Sequence, residues 1–264
     1  MRLDPDWRIL TIGDGDLSFS ASLLKHHNPK HLTASVYDSL SVLENKYGLQ
    51  HYQSLHNMGC TPVTEVDVTA KDSLAKLPSH QFDLVIFQFP LIPGFTSRQE
   101  FEQKAAGMSI NTLNRALLRQ FLLNAFETLL DPNGPQLCYI TSKDVKPYRE
   151  WNIEFSLHQD SEIEYLGAMD FDIQRFPGYR IRNVDKDNFV PDTRGITYVW
   201  SLSDKLGLRS QLRQPTHTQD NTCHLCRTGP FYADKDLQQH INTKRHQRML
   251  TFEQQWTRYL QGTN

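Results

Sequence analysis

Residues 9–20 read ILTIGDGDLSFS, and this stretch decides the fold. An apolar run (Ile9, Leu10, Ile12) breaks at Gly13-Asp14-Gly15, and Leu17-Ser18-Phe19-Ser20 then enters a helical pattern. That is a buried strand, a tight glycine turn and a helix start, the opening βα unit of a nucleotide-binding α/β domain. Glycine suits such a turn because the backbone bends sharply and a ligand must approach with no Cβ in the way. Asp14 and Asp16 repel phosphate and favour a cationic or hydroxyl-bearing ligand. Ser18 stands where a dinucleotide fingerprint needs its third glycine, which argues against a dinucleotide oxidoreductase.

Downstream, strands and helices alternate. Residues 19–27 read as a helix and 32–38 as a second strand ending in Asp38. Asp38 lies where such folds place a carboxylate for ribose hydroxyls, and it also suits the cap of a helix over 40–47. A helix over 52–58 leads into TPVTEVDVT, where Val63, Val66 and Val68 mark a third strand. Asp67 at its end belongs to the adenine side of this fold class. The fourth strand, 82–87, ends in Phe87 and runs into Gln88-Phe89-Pro90. Such an ending resembles the fourth motif of nucleic-acid methyltransferases, and it is equally a buried strand stopped by proline.

A polar loop over 93–107, with a short helix at 99–104, precedes the strongest amphipathic helix, 111–130. Leu113, Leu117, Phe121 and Phe126 recur along it at helical spacing, and packing is the role this predicts. Residues 136–143 form a fifth strand, and Pro147 opens a helix carrying Tyr148 and Trp151. Strands over 162–171 and 196–201 bring the count to seven, the last two pairing antiparallel across FPGYRIRN. The expected fold is a doubly wound Rossmann-like α/β sheet with its ligand at the carboxyl ends of the strands. Residues 206–220 read as a polar linker between a domain over 1–205 and a small module over 221–264.

The 264 residues are 38% hydrophobic, enough for one full core and a small appendage. A formal charge of -2 gives no global basic field, so any nucleic-acid surface is local. No apolar run approaches the roughly 20 residues of a membrane span, and MRLDPDWRIL lacks a signal core. An intracellular protein with no membrane partner is expected. Cys60 and Cys138 stand singly, whereas Cys223 and Cys226 lie together, which suits one metal site in a reducing compartment.

That site reads C-x2-C-x13-H-x5-H, with Cys223, Cys226, His240 and His246 as ligands of a closed tetrahedral zinc centre. Phe231 and Leu237 fit the apolar positions of a ββα finger. The wide histidine spacing is similar to that of fingers in spliceosomal and double-stranded-RNA-binding proteins. Lys244, Arg245, Arg248 and Arg258 surround the last ligand and suit phosphate contact. A purely structural or protein-binding finger fits the same residues.

GDGDLSFS, the strand ends at Asp38 and Asp67, FDLVIFQFP, PYREWNI and FPGYRIRN together resemble the Rossmann-like domain of the eukaryotic large-subunit rRNA uridine-N3 methyltransferases. The resemblance covers residues 7–201. It implies S-adenosylmethionine as cofactor, RNA as acceptor and, in a eukaryote, a nucleolar or nuclear location. Carried over by position, Gly13, Asp14, Gly15, Phe19, Asp38, Asp67 and Phe87 line the cofactor. The chain departs from the family at Gln88-Phe89-Pro90-Leu91, where Asn-Phe-Pro-His is usual.

The expected reaction is methyl transfer to N3 of a uridine in rRNA, with the base drawn out of its stack. Gln88 would read the base edge, and Phe89, Tyr148 and Trp151 would stack on it, with core packing as the alternative for Tyr148 and Trp151. Lys143 would stabilise the anionic base or accept its proton. Arg180 and Arg182 would touch phosphate or stay solvated. The rival readings are a nucleic-acid-binding protein without catalysis and a methyltransferase for tRNA or a non-RNA acceptor.

Overall fold

The computed structural model describes residues 1–182 and 194–263. Asn183, the last residue of FPGYRIRN, lies outside them. The elements in chain order begin with β1 (Arg8–Ile12), α1 (Ser18–His27), β2 (His31–Ala34), α2 (Leu40–Tyr47) and α3 (Gln50–Asn57). A single turn, α4 (Lys71–Leu74), leads to β3 (Leu84–Gln88), α5 (Arg98–Lys104) and α6 (Ile110–Asn124). Then come β4 (Leu137–Lys143), α7 (Ile153–Ser156), β5 (Glu164–Phe171), β6 (Gly195–Ser201), α8 (Asp234–Ile241) and α9 (Lys244–Thr263).

The sheet order is β2-β1-β3-β4-β6-β5. The first four strands are parallel, and β6 runs against both its neighbours. Fully buried β3 and β6 show the continuous apolar run of strands covered on both faces. One core layer packs Phe121 and Leu122 of α6 on one face, and another packs Phe19 and Leu23 of α1 on the other. The expected antiparallel end is present.

The strand count is six among the described residues, not seven. The TPVTEVDVT segment does reach the edge of β2: Val63 N–H donates to the Ala34 carbonyl at 2.9 Å and Val36 N–H to the Val63 carbonyl at 3.0 Å. Glu65 then adopts φ +57°, which turns the chain, so a single bridge, Ser35 to Val63, forms in place of a ladder, with further backbone bonds from Glu65 N–H to Asp38 and Val66 N–H to Val36. The 111–130 helix is also modified. α6 is capped by the Ser109 side chain and passes into a π turn over Ala125–Leu129.

Within the expected linker, residues 208–214 run along the outer edge of β5. Ala168 and Arg213 exchange both backbone hydrogen bonds, at 2.9 and 2.8 Å, and Leu208 is buried. This contact forms where β5 is bulged at Gly167, whose φ of +137° and proximity to Leu212 leave no room for a Cβ. Beyond it, α8 and α9 complete the metal-ligand module. α9 lies against α6 through Glu253, Gln255 and Trp256, which meet Arg115 and Thr112, while Phe252 packs in the small core of the module.

Candidate active site and metal centre

The glycine turn is built by sterics. Gly13 sits at φ +60°, and a Cβ there would lie 2.8 Å from the Phe87 ring. Both facts require glycine. Gly15 has no such φ, and a Cβ would make only ordinary contact with Arg182 at 3.8 Å, so its lack of a side chain serves access to the turn. Leu17, at φ +65°, brings the chain into α1.

The two acids of the turn are occupied. Asp14 is buried and its carboxylate accepts from both the backbone N–H and the hydroxyl of Ser20. Burial, with Asp16 as a neighbouring negative charge, pushes its pKa up to about 7. Asp16 pairs with Arg182 at 2.7 Å and accepts from Ser18 N–H. Arg182 is thus a partner of the turn, and Arg180 is tied to Ser18 through its backbone N–H. β2 stops at Ala34, short of the expected strand end, and four residues on Asp38 pairs with Lys46 at 3.0 Å. The cap of α2 is Ser39, whose hydroxyl accepts from Val42 N–H, because the Asp38 carboxylate turns toward Lys46. Asp67 accepts from the backbone and hydroxyl of Thr69.

These groups border one cavity of 540 Å³ at the carboxyl end of the parallel strands. Gly13, Asp14, Gly15, Asp38, Asp67 and Phe87 all line it, and so do Gln88 and Phe89. The volume falls within the range of roughly 300–1,000 Å³ typical of small-molecule sites. Gln88 is the chemical anomaly of the wall. It is 8% exposed, and neither its amide nitrogen nor its amide oxygen has a partner among the described residues. A buried unpaired amide costs about 1–3 kcal/mol, and this one borders the cavity. The next residue, Phe89, is held at φ +46°, its N–H bonded to the Thr141 carbonyl and its ring edge-on to Phe171.

Four expected site residues stand elsewhere. Phe19 is wholly buried behind the turn, packed on Phe176 and Tyr179, because α1 turns this side chain toward the sheet. Lys143 and Tyr148 are together, the ammonium 5.6 Å from the ring centre, but neither lines the cavity. Lys143 lies two residues past Thr141, the partner of Gln88, and burial lowers its pKa. Trp151 is 2% exposed and belongs to the core, so its ring faces no base.

Sequence reasoning missed the opposite wall. Leu113, Leu117 and Gln120 of α6 line the cavity, as does Tyr259 of α9. The packing role expected for α6 is therefore only half of its work. The available signal was the breadth of its apolar surface, since Leu113 and Leu117 lie off the face that buries Leu118 and Phe121.

At the C-terminus the ligand atoms of Cys223, Cys226, His240 and His246 all lie within 4.8 Å of one another. His246 Nδ1 is 3.5 and 3.7 Å from the two sulfurs and 3.3 Å from His240 Nε2. Metal–sulfur bonds of about 2.3 Å and metal–nitrogen bonds of about 2.0 Å in a tetrahedron give edges of about that size. The donor set therefore fits a tetrahedral cation. Burial and the facing Cys223 push the Cys226 thiol up, and burial lowers His240.

The module differs from the expected ββα finger. Cys223 and Thr228 form a lone bridge, and the histidines sit on two helices separated at Asn242-Thr243. The five-residue gap makes room for that break, and the Thr243 hydroxyl accepts from His246 N–H at the start of α9. Met249 and Phe252 join Phe231 in the small core, where Leu237 was expected. Two of the basic residues are already engaged: Arg245 donates to the Cys226 carbonyl, and Arg248 pairs with Glu150.

No helix among the described residues is long and apolar enough to cross a membrane. Comparison with known proteins matches residues 10–183 to the BMT5-like family, "rRNA (uridine-N3-)-methyltransferase BTM5-like". The chain is 27% identical over 203 residues to the Arabidopsis thaliana "Uncharacterized protein At4g26485", covering 74% of this chain and 93% of that protein. It is 30% identical over 181 residues to the Arabidopsis "Heavy metal-associated isoprenylated plant protein 41", covering 67% of this chain and 33% of that protein. Among solved structures it is similar to an antibiotic-related methyltransferase, with TM-score 0.41, 14% identity and coverage of 74% and 87%. A match over most of the chain, which includes the glycine turn, the strand ends and the Gln88 wall, shows that the chain belongs to the BMT5-like family of rRNA uridine-N3 methyltransferases.

Proposed function

We propose that this chain methylates N3 of a uridine in ribosomal RNA, with S-adenosylmethionine as donor and zinc as the ion of its C-terminal module. The observation that carries the reading is the unpaired amide of Gln88, buried in the wall of the one cavity that also holds the glycine turn. S-adenosylmethionine supplies an electrophilic methyl on a cationic sulfur. In this reading Asp38 accepts from the ribose hydroxyls and Asp67 borders the adenine, while Gly13 and Gly15 leave space beside the methionine portion. Gln88 donates to a carbonyl of the extruded uracil, and Phe89 packs on the ring. These contacts hold N3 in line with the methyl, and alignment is the larger part of what the protein adds.

Lys143 lies outside the cavity lining. In this reading the N3 proton therefore passes to water as N3 takes the methyl from the sulfonium, and the ammonium contributes only positive charge at longer range to the anionic base. Leu91 replaces the family's histidine with an apolar wall. Cys223, Cys226, His240 and His246 would hold the zinc, which gives a short module the energy to fold. In a eukaryotic cell this activity belongs in the nucleolus.

The test supplies tritiated S-adenosylmethionine and total RNA from cells lacking the protein, followed by nucleoside mass analysis. A uridine carrying a methyl on N3 is the expected product. Label in protein, or in no acceptor, would overturn the reading.

A further inference from the structure

The C-terminal metal-ligand module lies outside the matched residues 10–183, yet it reaches the cavity. It does so through α9. His246, in the first turn, belongs to the ligand cluster, and Tyr259, thirteen residues on, lines the cavity. At 1.5 Å per residue these points are about 20 Å apart on one rod.

The rod is anchored along its length. Met249 and Phe252 belong to the small core around Cys223 and Cys226. Arg115 of α6, wholly buried, pairs with Glu253 at 2.8 Å and lies 4.6 Å from the Trp256 ring. Trp256 is 1% exposed, and its indole N–H donates to the Ser156 carbonyl. Tyr259 stacks on Trp256 with ring centres 5.0 Å apart, which fixes its orientation.

The register identifies which end of the cavity this is. Thr112 meets Gln255, Arg115 meets Trp256, and Arg119 and Tyr259 are electrostatic neighbours, so α6 and α9 run side by side in the same direction. One turn further along α6, Asn124 donates to the carbonyl of Val68, beside Asp67. By this register Tyr259 lies toward the Asp67 end of the α6 wall, and it lines the cavity together with Gln120.

We infer that Tyr259 is a cofactor-binding residue at the adenine end of the site, carried there by the metal-ligand module, whose α9 is a wall of that site. This rests on the S-adenosylmethionine reading above. A flat ring at that end offers stacking area to a purine, and its loss exposes the cavity beside Gln120.

The experiment is calorimetric titration of the full-length, metal-loaded protein with S-adenosylhomocysteine. Tyr259→Ala is expected to weaken binding at least tenfold, and Tyr259→Phe to stay within about twofold, since stacking needs the ring and not the hydroxyl. Should Tyr259→Ala melt far below the parent, Tyr259→Leu replaces it, with the same expectation. Stripping the metal with a chelator is expected to weaken binding at least as much, because α9 loses its first anchor. Wild-type affinity in Tyr259→Ala, or in the stripped protein, overturns the inference while leaving the donor assignment intact. A wild-type protein that ignores the compound sinks the donor assignment itself, and this inference with it.

Discussion

Arg115 of α6 and Glu253 of α9 form a two-pronged ion pair, at 2.8 and 3.1 Å, in which the guanidinium is wholly buried. The pair joins a helix of the family domain to the helix that carries His246, the last of the candidate metal ligands. Burial opposes the arginine's charge, and Glu253 offsets that cost. Glu253→Gln should destabilise the protein by about 2–4 kcal/mol, since it strands a buried cation. Arg115→Met combined with Glu253→Leu should recover most of that loss, as read by urea denaturation.

Gly13→Ala should cost about 1–2 kcal/mol from the left-handed backbone alone, with more from the contact with Phe87. The same change pushes Phe87 into the cavity. Binding of S-adenosylhomocysteine should fall below detection in calorimetry, while thermal melting still shows a folded protein.

Gln88→Leu separates stability from function. Removing two unpaired buried polar atoms should leave the melting temperature unchanged or higher. Methyl transfer to RNA should drop about 10- to 100-fold, the value of one or two lost hydrogen bonds at the reacting base. A less stable variant with full activity would contradict the assignment of this amide to the acceptor.

Asp14 makes stability depend on pH. Its folded pKa, about 7, lies above the usual value of 3.8, so between these the native state holds a proton that the unfolded chain has lost. Stability from this group is therefore greatest in acid and declines as pH rises from about 4 through 7, by an amount on the order of 3 kcal/mol. Asp14→Asn should flatten that slope in urea titrations run between pH 4.5 and 8.

Asp38→Ala removes a half-exposed ion pair with Lys46, worth about 0–1 kcal/mol. The fold should persist, with a melting temperature close to the parent's. Cofactor binding should be lost, because the ribose acceptor is gone; calorimetry showing normal affinity would remove Asp38 from the site.

The amino-acid sequence alone determined the alternation of strands and helices, the glycine turn at Gly13 and the two cysteines and two histidines that come together at the C-terminus. Each is a local pattern: apolar period, a residue without Cβ, and ligand spacing. It also carried the resemblance that led to the family. Tertiary structure decided which of the marked side chains meet. Phe19 and Trp151 are aromatic residues beside motifs, and only packing shows that both are core. Gln88 reads as a polar strand end until its burial without partners is seen. The third strand read from its valines stops at one bridge because Glu65 turns the backbone, a local conformation that hydropathy does not encode. Tyr259 lies far along the chain from the glycine turn, and its place in the cavity follows from the docking of α9 on Arg115. Long-range contacts of that kind arise from shape and buried charge summed over many residues, so no short stretch announces them.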